Sequence, residues 1–275
     1  MLEIPEAVAL SQQLAGRLAG KRVDRIIAGS SPHKFTWYYG DPGSYTELAS
    51  GKTFRGAKAV GGMVEAAAGD VRFLFTEGAN LRYAPAGGKL PRKHQFLCVF
   101  TDGSALVASV RMYGGAGAYR EGENNYKYFL ISKEKPSPLE KEFNKTYFKR
   151  LLSADGIEKL SAKQFLATEQ RIPGLGNGVL QDILFDAGIH PKRKLGACGK
   201  EERDGIFRSV KQVLKKMTEG GGRDTELDLD GNPGGYVTIM SRNTVGKPCP
   251  SCGQAIEKAS YMGGAVYFCG KCQPL

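Results

Sequence analysis

Long apolar runs are missing from this chain. No stretch approaches the ~18 residues needed to span a bilayer, which argues against a membrane protein. Residues 1–20 lack the basic start and unbroken apolar segment of a secretory signal and carry Glu3 and Glu6 instead, so a cytoplasmic protein is expected. Internal repeats and low-complexity tracts are absent too. With 41% hydrophobic and 24% charged residues, the composition is that of a globular protein and not of a disordered tail. Acidic residues are scarce: 28 Asp and Glu face 39 Lys and Arg, leaving a formal net charge of +11. Such a field attracts polyanions, with nucleic acid the first candidate, although a solvated basic surface with no partner carries the same charge.

Cysteine is also sparse, six in 275 residues, and its placement is uneven. Cys98 lies in the apolar run 96–100 and reads as core, and Cys198 stands alone. The other four, Cys249, Cys252, Cys269 and Cys272, form C-x2-C-x16-C-x2-C. Two short knuckles at that spacing can close four thiolates around one Zn2+. With no position left open for water, the metal would be structural and not catalytic. Two disulfides are the alternative, disfavoured in a cytoplasmic protein.

The length allows two domains. Residues 5–18 place Ala7, Leu10, Leu14 and Leu18 on one helical face. After this helix come strand candidates at 23–27, 71–75, 96–100 and 105–107, with Asp102-Gly103 a hairpin turn between the last two. The charged, Pro-containing stretch 133–139 reads as a linker. Beyond it the period becomes helical at 143–152, 156–160, 161–169, 178–187 and 200–217, with Ser161 a plausible N-cap. The Gly-rich, acidic segment 220–235 is expected to be a mobile loop. The fold class is therefore α+β: an N-terminal helix plus β-sandwich domain (1–132), a helical domain (140–235) and a C-terminal zinc finger (236–275).

Residues 170–193 (QRIPGLGNGVLQDILFDAGIHPKR) run from a helix end through a Gly-rich turn into a second helix. Gly174, Gly176 and Gly178 would leave N–H groups bare at the helix start, where an anion such as a phosphate is favoured. An ordinary glycine turn between packed helices has the same pattern.

This segment closely resembles the helix-two-turn-helix of the formamidopyrimidine-DNA glycosylase / endonuclease VIII family, and the C-terminal four-cysteine finger resembles the same family. The start MLEIPE is similar to the family's Met-Pro-Glu-Leu-Pro-Glu. Pro91-Arg92-Lys93-His94 leads to Arg111-Met112-Tyr113-Gly114, which is similar to its Arg-Arg-Phe-Gly. The resemblance implies a sandwich and a helical domain with damaged or abasic double-stranded DNA held in the cleft between them, RNA remaining open as a ligand. A monomer associated with the nucleoid is expected, although the sequence leaves the oligomeric state open. Residue by residue, the resemblance implies that Asn177 binds phosphate, that Lys93 and His94 contact the backbone, and that Arg111 and Tyr113 fill the gap left by a flipped nucleotide.

The resemblance also marks departures. The family's chemistry uses the amine of an N-terminal proline, exposed by removal of Met, to form a Schiff base; here Leu2 stands at that position. The slot of the catalytic lysine falls on Gly62, with Lys58 four residues upstream, and Gly264 occupies the place of an arginine that clamps phosphates. Glu3 and Glu6 match the family's acidic residues at the reaction centre, where they would move protons, or they cap the first helix. The expectation is a binder of damaged or structured DNA on a repair-glycosylase scaffold. The alternative is an active N-glycosylase/AP lyase that uses the Met1 amine or Lys58.

Overall fold

A computed structural model describes residues 2–110 and 112–275. Met1 and Arg111, both singled out by the sequence, lie outside the described residues. The first helix, α1 (Ile4–Leu18), buries Ala7, Leu10, Leu14 and Leu18 along one stripe. Pro5 sits in its first turn, where a missing N–H removes no hydrogen bond. Next come β1 (Val23–Ala28), β2 (Thr36–Trp37), the short helix α2 (Tyr45–Ala49), β3 (Phe54–Val60), β4 (Met63–Ala68), β5 (Val71–Phe75), β6 (Ala79–Ala84), β7 (Phe96–Phe100), β8 (Ala105–Val110) and β9 (Gly114–Arg120).

These strands make two sheets, ordered β1-β7-β8-β6 and β2-β9-β5-β4-β3. Phe96 of β7 meets Phe73 and Phe75 of β5 at ring separations of 6.1 and 5.3 Å, edge to face, so the two sheets pack as a sandwich around an aromatic centre. Cys98 is buried in that core. Asp102 and Gly103 turn β7 into β8, with Gly103 at φ 81° and the Asp102 carboxylate accepting from Ser104 N at 2.9 Å.

The second half is helical: α3 (Lys127–Glu134), α4 (Lys145–Leu152), α5 (Ala162–Ala167), α6 (Val179–Asp186) and α7 (Lys200–Glu219). Ser161 caps α5 in a reciprocal pair with Gln164, at 3.2 and 2.9 Å. Residues 156–160, expected as a helix, form a single tight turn at Ile157–Lys159. The start of the expected linker belongs to α3, which the sequence reading had not assigned. Phe143, Phe148, Phe165, Ile183 and Leu214 centre a second core. Ile4 belongs to this second core, whereas Leu2 and Leu10 belong to the first, so the amino end of α1 is wedged between the two.

Residues 220–235 are tied down instead of being mobile. Asp224 N donates to Tyr236 O at 2.8 Å, Tyr236 N to Gly222 O at 3.0 Å, and Arg223 is buried. The chain closes with the hairpin β10 (Glu257–Tyr261) and β11 (Gly264–Phe268) carrying the four cysteines at its base. Among the described residues no helix is long and apolar enough to cross a membrane.

Candidate functional site

Wedging the chain start between two cores brings two carboxylates out of water, and burial of a charge requires compensation. Glu3 and Glu6 are 3% and 5% exposed, and the partner is Arg223. Its guanidinium grips Glu6 through Nε and Nη2 at 2.9 and 2.8 Å, and its backbone N–H reaches the same carboxylate at 3.1 Å. Nη1 stands 3.5 Å from Glu3. Burial pushes the Glu3 carboxyl up, and Arg223 draws it back down. For Arg223, burial works against the charge, but the two carboxylates outweigh it and hold the guanidinium protonated. A methyl group at Gly178 would sit 1.6 Å from Arg223 Nη1, so glycine there makes room for the arginine.

The bare helix start expected at Gly174–Gly178 is not bare. Glu3 Oε1 and Oε2 accept the N–H groups of Gly178 and Val179 at 2.8 and 2.7 Å, so an internal carboxylate occupies the anion position at the head of α6. Glu6 accepts the Glu3 N–H at 3.3 Å, so the helix-cap reading of the two glutamates is met at the start of α1. Gly62 lies in the β3–β4 turn beside this centre: a Cβ there would be 3.4 Å from Glu3 Cα and 3.0 Å from Gly174 Cα. Gly174, at φ 79°, would in turn drive a Cβ to 2.1 Å from Gly62 N. Two glycines let the backbones touch, and no side chain stands between them. Leu2 is buried and its backbone N–H donates to Glu77 O at 2.7 Å. Lys58 pairs with Glu65 at 3.0 Å, on the face of β4 opposite the one carrying Val64 and Ala66 into the sandwich core.

Asn177 and the cysteine hairpin converge. Asn177 Nδ2 donates to Ala265 O at 3.0 Å, Gln181 Nε2 donates to the same carbonyl at 3.2 Å, and Tyr267 N donates back to Gln181 Oε1 at 3.1 Å. Lys163, buried from α5, donates to Tyr261 O at 2.7 Å, and burial pushes its ammonium below the usual lysine range. A Cβ on Gly264 would lie 3.4 Å from Lys163 Nζ and 3.6 Å from Asn177 Nδ2, so position 264 faces both. Between hairpin, α6 and the 223–226 segment opens a cavity of about 340 Å3 whose lining includes Glu3, Asn177, Arg223, Arg242 and Met112.

Lys93 and His94 sit on the β6–β7 connection, the His94 ring nitrogen 3.2 Å from Pro91 O, and they do not line that cavity. Tyr113 is 63% exposed next to Met112. The Sγ atoms of Cys249, Cys252, Cys269 and Cys272 all lie within 4.8 Å of one another, with Cys252–Cys269 at 3.4 Å and Cys249–Cys272 at 3.8 Å. A tetrahedral Zn–S shell of ~2.3 Å has sulfur edges of about 3.8 Å, so the cluster can coordinate one structural zinc. The sequence reading missed Arg223, Gln181 and Lys163. The signal for Arg223 was the two carboxylates at 3 and 6, which needed a cation once buried.

No family model matches the chain. Among curated proteins, the formamidopyrimidine-DNA glycosylase of Pectobacterium carotovorum is 30% identical over 201 residues, 70% of this chain and 71% of that protein. That of Pectobacterium atrosepticum is 36% identical over 143 residues, a match spanning about half of each chain, 50% and 51%. That of Polynucleobacter necessarius is 26% identical over 282 residues, 99% of each. Among solved structures, the Fpg protein from Thermus thermophilus superposes with a TM-score of 0.80 at 23% identity, covering 98% of both chains. Lactococcus lactis Fpg in complex with DNA containing an abasic site gives 0.83 at 22% identity, over 99% of this chain and 100% of that one. Sequence likeness over most of the chain and a shared fold agree, and the chain belongs to the formamidopyrimidine-DNA glycosylase (Fpg/Nei) family.

Proposed function

We propose that this protein binds damaged duplex DNA, abasic or with a flipped nucleotide, on a repair-glycosylase scaffold, without the family's usual amine chemistry. The binding half of the reading rests on the family, the net charge of +11 and the cavity bordered by Asn177, Arg242 and the cysteine hairpin. The carrying observation for the second half is the Gly62–Gly174 contact. Where the resemblance puts a lysine, two backbones meet with no side chain, and the residue-2 nitrogen is an amide already donating to Glu77 O. Lys93, His94, Tyr113 and Arg111 extend the phosphate and gap-filling contacts in this reading, and one structural zinc holds the hairpin that positions Ala265 against Asn177.

One observation favours the alternative of an active glycosylase/lyase. Glu3 lines the cavity, which puts a carboxyl group within it where proton transfer to a bound nucleotide would need one. The nucleophile would then be the Met1 amine, since Lys58 is engaged by Glu65 on another face. Borohydride reduction in the presence of an abasic duplex separates the two readings. A binder shifts the duplex in a gel but leaves no covalent adduct. A trapped adduct that persists in Lys58→Ala overturns the proposal in favour of the Met1 amine, and failure to shift the duplex at low salt removes both.

A further inference from the structure

The turn that follows α6 is pinned from two sides. The His190 ring packs edge-on against Phe268 of β11 at 4.4 Å, and its Nδ1 accepts the Lys192 N–H at 3.1 Å. Pro191 O and Arg193 O accept the Lys163 and Ala162 N–H groups of α5 at 3.1 and 2.9 Å. Two cations leave this turn. Arg193 is paired with Glu202 of α7 at 2.9 Å. Lys192 forms no ion pair among the described residues; its half-buried side chain lies against the cysteine hairpin, with Nζ 5.5 Å from the centre of the Tyr261 ring. Tyr261 is the register partner of Gly264, and side chains of opposed residues project from one face of a strand pair. That face also holds Lys163, whose Nζ is 5.9 Å from the same ring, and Asn177, 3.6 Å from the point where a Cβ on Gly264 would stand.

Two ammonium groups about one ring, neither paired with a carboxylate among the described residues, make a patch that attracts an anion. Lys163 is already engaged by Tyr261 O, so the charge left to meet a ligand is that of Lys192. We propose that Lys192, steadied on the Tyr261 ring, contacts a backbone phosphate of duplex DNA next to the stretch held at Asn177. Asn177 supplies the continuity, because it lines the Glu3 cavity and also faces Gly264. A strand leaving the cavity along the hairpin passes position 264, where no side chain stands, and reaches Tyr261. An ammonium on a flexible stem serves a phosphate as a point charge and reads no base. The contact therefore strengthens binding to any duplex and carries no lesion preference. This inference rests on the proposed reading as a DNA binder and adds to it a residue for which the family likeness supplies no role.

The experiment uses the full zinc-loaded chain and two duplexes, one with a tetrahydrofuran abasic site and one undamaged, titrated at several salt concentrations. Lys192→Met keeps the apolar stem and Lys192→Gln a polar end. Both should weaken binding to the two duplexes alike, about 3-fold or more at moderate salt, and make the fall of log affinity with log salt shallower by about 0.9, the share of one phosphate. Lys192→Arg should match the parent. A Lys192→Met or Lys192→Gln protein with the parental salt slope overturns the inference and leaves the binding reading standing, as does a loss confined to the abasic duplex or shared by Lys192→Arg. If both neutral replacements lose zinc or thermal stability, Lys192 serves the hairpin itself, which also overturns it. Absence of parental binding to either duplex at low salt overturns the inference and the binding reading together.

Discussion

Glu3 closes the head of the helix that starts after Gly178: its carboxylate takes the Gly178 N–H at 2.8 Å, across 175 residues of sequence. The same carboxylate touches Arg223, which holds Glu6 as well, so chain start, α6 and the 220–235 segment share one buried charge network. Removing one partner of such a network leaves an uncompensated charge in the interior.

Arg223→Ala should therefore destabilise the protein by about 3–5 kcal/mol, measured as the shift of the urea unfolding midpoint. The pH dependence has a definite sign. A carboxyl raised above its ordinary 4.5 favours the folded state most when protonated, so its contribution is full below 4.5 and is lost as pH rises through the raised value. Without Arg223 that rise is larger, so acidifying from neutral toward pH 5 should narrow the gap between variant and parent. A gap that stays constant or widens would show that Glu3 is not the group left exposed to the penalty.

Placing a lysine at Gly62 in the β3–β4 turn should fail. Gly62→Lys places a Cβ 3.0 Å from Gly174 Cα, and the neighbour is backbone, which cannot swing aside. Overpacking of this kind costs about 1–3 kcal/mol. The expected outcome is a lower thermal midpoint and no borohydride adduct on an abasic duplex. A variant of parental stability that traps an adduct absent from the parent would mean that the turn opens readily and admits a working lysine.

Position 264 behaves oppositely. Its nearest neighbours are two polar side-chain nitrogens at 3.4 and 3.6 Å, ordinary contacts with groups that can move. Gly264→Arg should fold and tighten binding to abasic duplex several-fold at low salt, with a steeper loss on adding salt, because one more phosphate contact is made. Asn177→Ala should weaken binding to every duplex alike and also loosen the hairpin, since it removes the bond to Ala265 O. An Asn177→Ala protein that loses only lesion preference would place Asn177 at the base and not at the backbone.

Local signals in the sequence reached a definite part of this molecule. Strands 71–75 and 96–100 are rich in Phe, Val and Leu and read directly, whereas β4 (MVEAAA) and β9 (GGAGAYR) are built from residues with low strand propensity and form because neighbouring strands pair with them on both sides. The four cysteines were legible because metal spacing is local. Asn177 stood out through its glycines, but its bond to Ala265 crosses 88 residues, and the Arg223–Glu6 bonds cross 217. No periodicity announces an arginine inside a Gly- and Asp-rich stretch, so the segment read as loose when burial of two carboxylates had in fact fixed it.

The hairpin supplies the last prediction, because its own apolar content is small and its contacts depend on the cysteine base. Elemental analysis should find about one zinc per chain, and a strong chelator should melt residues 249–272 while leaving the sandwich intact. The consequences would spread along defined bonds. Tyr267 N would release Gln181, Ala265 O would release Asn177, and Lys163 would lose Tyr261 O, so the wall of the Glu3 cavity formed by the hairpin would open. Far-UV dichroism should change little, since α6 is held by the second core, but duplex affinity should fall about tenfold or more and return on adding zinc. A chelated protein that binds the duplex as well as the metal-loaded one would show that the hairpin does not form part of the binding surface, and the cavity would then have to be bounded by the sandwich and α6 alone.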